Sequence, residues 1–144
     1  MDYEIDLDPT HSVIRLTVIE AMVSLECAED CYHRLSHVAS TGGPYAAIYD
    51  LSVAGDTTIP TDMFRCFARR SLSIPTGRPH VVVGKFSVIY GLARLFQMCG
   101  ESVGQALAVV RSLDKAYEIV GARPEDFTQR LFPERLAACL TSPP

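Results

Sequence analysis

Three stretches of this chain carry residue types that could do chemistry. Cys27, Cys31, His33 and His37 together offer thiolates and imidazoles, the donors that hold zinc. Gly84-Lys85-Phe86-Ser87 resembles the end of a phosphate-binding loop, where backbone amides and a lysine meet an anion. Asp50-Leu51-Ser52 ends an apolar run with a carboxylate and a hydroxyl, the types needed for proton transfer or for binding a polar partner.

Spacing decides among these. At about 100° per residue, Glu26, Asp30, His33 and His37 fall on one helical stripe. Cys31 points away from it with Ala28, Tyr32, Leu35 and Ala39, and Cys27 lies on a flank. The four donors do not converge, so the stripe reads as a solvated helix face with acid–histidine pairs, and no metal site is expected. The phosphate loop needs a glycine five residues before Gly84, where the chain has Pro79, which removes a nucleotide-triphosphatase reading. What remains at Lys85 is either an anion site at a helix N-terminus or a solvated lysine beside a capping Ser87. Asp50 would need desolvation and a partner acid to serve as a general base, and the sequence supplies no such partner. There is no Gly-x-Ser-x-Gly elbow and no His-Glu-x-x-His, and Cys66 and Cys99 sit in apolar helical settings where thiols are inert. The expectation is a protein that is not an enzyme and uses no cofactor.

The elements that must position these residues follow from periodicity. Tyr3–Leu7 alternates as a half-buried strand, Asp8-Pro9-Thr10-His11 is a turn, and Val13–Val18 returns as the second arm of a hairpin. Ser24 caps a long helix to about Ala39, closed by Gly42-Gly43-Pro44. Tyr45–Leu51 is an apolar strand of the kind covered on both faces. A second helix opens near Thr61, a strand runs over Val81–Gly84, and a third helix follows from Ser87 to about Met98, closed by Cys99-Gly100. Leu107–Val110 is the fifth strand, and Leu113–Val120 a short helix ended by Gly121. A tail over 122–144 reads as helical, starting at Pro124 and ending in Glu134–Leu140. This order predicts one α/β domain over 1–144, a mixed sheet in which a hairpin joins parallel strands, flanked by helices. Function in such sheets gathers beyond the carboxyl ends of the parallel strands.

Composition narrows the class. At 144 residues, 48% hydrophobic and 21% charged, the chain is globular, and no apolar run reaches the roughly 20 residues that span a bilayer. The acidic Met-Asp-Tyr-Glu start lacks the basic and apolar regions of a signal peptide, so a cytoplasmic location and reduced cysteines are expected. Residues 1–50 hold nine acids and two bases, whereas residues 51–100 hold two acids and six bases. That basic middle either pairs with the acidic first third or offers a surface to an anion or an acidic partner. Nucleic acid is not expected, because the protein is acidic overall and its bases are not interleaved with stacking aromatics. The third helix is apolar almost all round, which implies cover on more than one side. The candidates are the sheet with the tail, a second subunit in a homodimer, or an apolar ligand.

The layout, with an Asp50-Leu51-Ser52 strand ending, a Val81-Val82-Val83-Gly84 strand, Tyr90-Gly91-Leu92-Ala93-Arg94 and Ser112-Leu113-Asp114-Lys115-Ala116, resembles STAS-like proteins over about residues 3–121. It is most similar to the branch of small bacterial proteins related to sporulation anti-sigma-factor antagonists. The resemblance implies a four- or five-stranded mixed sheet acting as a non-enzymatic regulatory module that binds a protein partner. In regulatory members the second serine of an Asp-Ser-Ser-Gly motif is phosphorylated by a partner kinase. Asp50 matches the aspartate and Ser52 the phosphoacceptor, with Leu51 and Val53 in place of the first serine and the glycine. The next helix opens some eight residues later, so no amide cradle for phosphate is expected, and Ser52 equally reads as a serine that ends a strand. The implied working surface is Asp50, Ser52, Lys85, Ser87, Arg111 and Ser112, meeting an acidic partner or small anion. Lipid-carrying relatives imply an alternative, in which the third helix walls a pocket for an acyl chain.

Overall fold

A computed structural model describes residues 3–71, 77–102 and 107–133. Its centre is a six-stranded mixed sheet with four helices around it. β1 (Tyr3–Asp8) and β2 (Val13–Val18) form the antiparallel hairpin, in register from Tyr3 opposite Val18 to Asp8 opposite Val13. β2 then lies parallel to β4 (Ala46–Asp50), which lies parallel to β6 (His80–Val83) and, through it, to β7 (Leu107–Val110). This is the α/β arrangement that the alternation of apolar runs implies.

Alternation along each strand feeds two apolar layers. On one face Val13, Ala46, Ile48, Val81 and Val83 pack against Ala116, Tyr117 and Val120 of α4 (Leu113–Val120). On the other, Tyr3, Ile5, Ile14, Leu16 and Val18 meet Cys27, Cys31 and Val38 of α1 (Leu25–Gly42). Val82 and Leu107 meet Ala93 of α3 (Ser87–Ser102) on that same side. Each fully covered Val or Ile contributes about 1.5–3 kcal/mol, so the central strands, buried on both faces, hold most of the core. α2 (Thr61–Ser71) bridges its neighbours through ring contacts, Phe64 on Phe96 of α3 and Phe67 on Tyr32 of α1.

Local signals explain the helix ends. The Ser24 hydroxyl accepts the Cys27 N–H at 3.1 Å and starts α1. Gly121, at φ 74°, takes the left-handed position that stops α4 and donates its N–H to the Tyr117 carbonyl at 2.9 Å. α3 runs on through Gly100 to Ser102 rather than closing at Cys99-Gly100. The described glycines with left-handed backbone are Gly77 and Gly121, and a glycine in ordinary helical conformation only weakens a helix by about 1 kcal/mol.

Three further differences from the sequence reading are informative. A two-stranded parallel ribbon pairs β3 (Met22–Val23) with β5 (Asp56–Thr57). Its strands are too short to show a period, and it is held by the Ala21 carbonyl, which accepts the N–H groups of Gly55 and Asp56 at 2.8 and 3.2 Å. The tail expected to be helical contains a 3-10 turn at Pro124–Asp126 and then β8 (Gln129–Leu131), antiparallel to β1 at the sheet edge. The reason is side-chain chemistry. Arg130 Nε donates to the Asp6 carboxylate at 2.7 Å and its Nη2 lies 3.2 Å from Glu4, while Leu131 sits opposite Ile5. The sheet therefore has six strands instead of four or five. The expected helix over Glu134–Leu140 lies outside the described residues.

Finally, α3 is covered by β6 and β7 on one side and by α2 on another. Ile89 and Ala93 are buried, but Phe86, Val88 and Met98 stay exposed. The described part of the tail packs elsewhere, with Phe127 against the Tyr117 ring and Phe132 beneath the Arg34 guanidinium.

Candidate functional site

The parallel strands end at one edge of the sheet. Asp50 is in register with Val83, and Val83 with Val110, so the three endings stand side by side at strand spacing, about 4.8 Å apart. The ladder continues past them: Leu51 N–H donates to the Val83 carbonyl at 2.9 Å, and Gly84 N–H to the Val110 carbonyl at 3.0 Å. The residues singled out in sequence, Asp50 and Ser52, Lys85 and Ser87, Arg111 and Ser112, thus follow adjacent strands. Gly84 sits close beneath α3 there: a Cβ would come within 3.2 Å of the Tyr90 backbone as the helix turns back over the strand end.

Each residue has a definite local role. The buried Asp50 carboxylate accepts the Ser52 N–H at 3.0 Å and also the Ser52 hydroxyl. This is an Asx-type turn that closes β4. A phosphate on Ser52 would therefore stand against a carboxylate. The next helix begins only at Thr61, so the serine does not stand at the start of that helix. Lys85 is exposed, and its carbonyl lies 3.4 Å from Arg111 Nη1. The Arg111 guanidinium spreads over the Tyr90 ring at 3.9 Å, a cation–π contact that fixes its position. Ser112 caps α4 by accepting the Lys115 N–H at 3.3 Å. Ser87 stands inside α3 rather than capping it, since the first bond of the helix runs from the Tyr90 N–H to the Phe86 carbonyl at 2.8 Å.

Sequence reasoning missed the apolar part of this edge. Phe86, Val88 and Val53 are 46%, 49% and 54% exposed, and Phe86 reaches within 3.9 Å of where a Gly55 side chain would begin. The signal was present in Lys85-Phe86-Ser87-Val88, where a helix start alternates polar and apolar residues, but periodicity assigned the two apolar ones to buried flanks. An open groove of about 440 Å³ lies elsewhere, between α1 and α2, lined by Leu25, Glu29, Asp62, Met63, Cys66 and Phe67. Among the described residues, none of those lining it belongs to α3.

The remaining sequence candidates separate as helix geometry requires. Cys27 and Cys31 are buried and face the sheet, whereas His33 and His37 are exposed. Asp30 accepts the Tyr3 hydroxyl and pairs with Arg34 at 3.5 Å. The bases beside Glu4 and Asp6 belong to β2 and β8, not to the basic middle segment. Glu4 and Asp6 pair with Arg130, and Asp6 also with Arg15 at 3.4 Å. Arg15 in turn donates to the Tyr117 hydroxyl at 2.7 Å and covers the Phe127 ring. Asp6 holds Arg130 above its ordinary value by accepting its hydrogen bond.

The edge brings together two exposed bases, Lys85 and Arg111, the capped start of α4 and the exposed apolar side chains of Val53, Phe86 and Val88. Among the described residues no helix is long and apolar enough to cross a membrane. No family model, curated protein or solved structure matches the chain.

Proposed function

We propose that this chain is a non-enzymatic regulatory module of the cytoplasm that binds a protein partner through the carboxyl edge of its sheet. The observation that carries the reading is the exposure of Val53, Phe86 and Val88 beside Lys85 and Arg111. Large side chains left in water at a place the fold itself singles out mark a contact surface. Lys85 and Arg111 select an acidic or anionic group on the partner, and Phe86 supplies the buried anchor on which affinity rests. The resemblance to STAS-like anti-sigma-factor antagonists supports the same surface and the same kind of activity. Within it, Asp50 and Ser52 close β4, Ser112 caps α4 and Ser87 stands in the first turn of α3, and Ser52 is the position where a phosphate would act on the patch.

The test is affinity capture from cells of the source organism with wild type and a Phe86→Glu variant, followed by native mass spectrometry. A protein held by wild type and lost from the variant is the expected result. A captured second copy of the chain would assign the patch to a homodimer. A co-purifying lipid with no protein partner would refute the reading in favour of a carrier.

A further inference from the structure

The opposite end of the sheet, where β1 turns into β2, gathers three donors the carboxyl edge does not use. Asp8 ends β1 with no exposed surface. Its Oδ1 accepts the N–H groups of Thr10 and His11 at 2.9 and 3.1 Å, and its Oδ2 lies 2.6 Å from His11 Nδ1. Asp126, brought alongside by the pairing of β8 with β1, places Oδ2 3.7 Å from the same Nδ1. Asp126 also accepts the Arg123 N–H at 2.9 Å, with the Arg123 guanidinium at 3.5 Å. Asp8, His11 and Asp126 each contribute one donor atom to a group lying within 4.8 Å of one another.

Two physical problems meet at this point. One imidazole nitrogen carries one proton or one lone pair, so it cannot hydrogen-bond both carboxylates that face it. Asp8 is fully buried, and its Oδ2 shares the His11 nitrogen with a second carboxylate, the three donor atoms lying within 4.8 Å of one another. Two negative groups that close repel, and burial strengthens the repulsion. A divalent cation between the three resolves both problems.

We propose that Asp8, His11 and Asp126 form a binding site for a first-row divalent transition metal, zinc being the class best suited to one nitrogen and two carboxylate oxygens. Bonds of about 2.0–2.2 Å from a tetrahedral zinc put its ligands about 3.4 Å apart. The Asp8–His11 pair opens to admit the ion, the His11–Asp126 pair closes slightly, and any proton on His11 Nδ1 leaves to solvent. Water completes the coordination on the exposed side of His11. The ion ties the hairpin turn to the 3-10 turn more than a hundred residues later in the chain, and it acts independently of the carboxyl-edge surface.

The experiment is calorimetric titration of Zn²⁺ into the full chain after chelator treatment, with His11→Ala, Asp126→Asn and a His33→Ala/His37→Ala double variant. Saturable one-to-one binding is expected, weakened at least about tenfold in each of the first two variants, the scale of losing a well-placed ligand or its support. The α1 double variant should bind as wild type does. Zn²⁺ should also raise the melting temperature of wild type and not of His11→Ala. Co²⁺ substitution should give a spectrum without a thiolate charge-transfer band. Absence of saturable binding, full affinity in His11→Ala, or a thiolate band that places the ion on Cys27 or Cys31 would each overturn the proposal. His11 and Asp126 are partly exposed, so a melting curve without metal shows whether those two variants fold, and either one alone suffices.

Discussion

Tyr49 and His80 form a polar pair inside an apolar layer, and replacing His80 with Phe tests what holds them. The Tyr49 oxygen lies 2.7 Å from His80 Nδ1, between β4 and β6, with Leu51, Val82 and Phe96 in the same layer. Burial raises the Tyr49 phenol above its usual range and so keeps it protonated. Burial also lowers His80, against a hydrogen bond to the Tyr45 backbone that raises it, and Arg78 lowers it further. The imidazole is thus neutral, and its Nδ1 accepts a hydrogen bond from the Tyr49 hydroxyl, which keeps its proton. Removing the imidazole leaves the Tyr49 hydroxyl and the Tyr45 backbone group without this partner, a loss of about 1–3 kcal/mol, toward the lower end because the pair is only part-buried. The pH dependence carries a definite sign. With a folded value below the unfolded one near 6.5, the unfolded chain binds the extra proton in between. This contribution is therefore complete above about pH 6.5 and fades as pH falls through the folded value, with a limiting slope of about 1.4 kcal/mol per pH unit for one proton. Urea unfolding of wild type and His80→Phe at pH 8, 6.5 and 5 reads both quantities. The variant should be weaker at pH 8 and flatter between 6.5 and 5. An unchanged slope would falsify the assignment of a desolvated, neutral imidazole.

Three other substitutions probe separate parts of the structure. Gly84→Ala pushes a methyl to 3.2 Å from the Tyr90 backbone and should cost about 1–3 kcal/mol by thermal or urea unfolding; a neutral result would mean that α3 is free to shift. Arg130→Ala removes the clamp on Asp6 and Glu4, but Arg130 is 39% exposed, so solvent screening limits the loss to about 1 kcal/mol. Faster hydrogen exchange confined to β8 and its partner β1 should accompany it. Ser52→Glu sets a second carboxylate beside Asp50 and should lower stability by about 1 kcal/mol; phosphopeptide mapping from the native host then reads whether that position is used as a switch.

Much of this architecture was legible because its signals are local. Ser24 and Gly121 mark helix ends by their own conformations, and the β-branched run Val81-Val82-Val83 reads as a strand buried on both faces. The adjacency of Asp50, Gly84 and Arg111 followed from the order of strand–helix units alone. Features resting on distant partners were not legible. Gln129-Arg130-Leu131 is too short to show alternation and becomes a strand because Asp6 and Ile5 wait beside it. The Asp8–His11 turn could be read as a turn, but nothing in the sequence brings Asp126 to it. Exposure of Phe86 and Val88 was hidden for another reason: an apolar pattern says which residues can be covered, and tertiary packing decides which are.

The pairing of β8 with β1 also sets an order of events. β1 is synthesised more than a hundred residues ahead of β8, so its outer hydrogen-bonding row stays open until β8 exists. An open row of that kind recruits other strands. A chain cut between Ala122 and Gln129 retains both apolar layers of the central strands yet keeps that row unpaired. Its failure should therefore be self-association through β1, rising with concentration, instead of loss of the core.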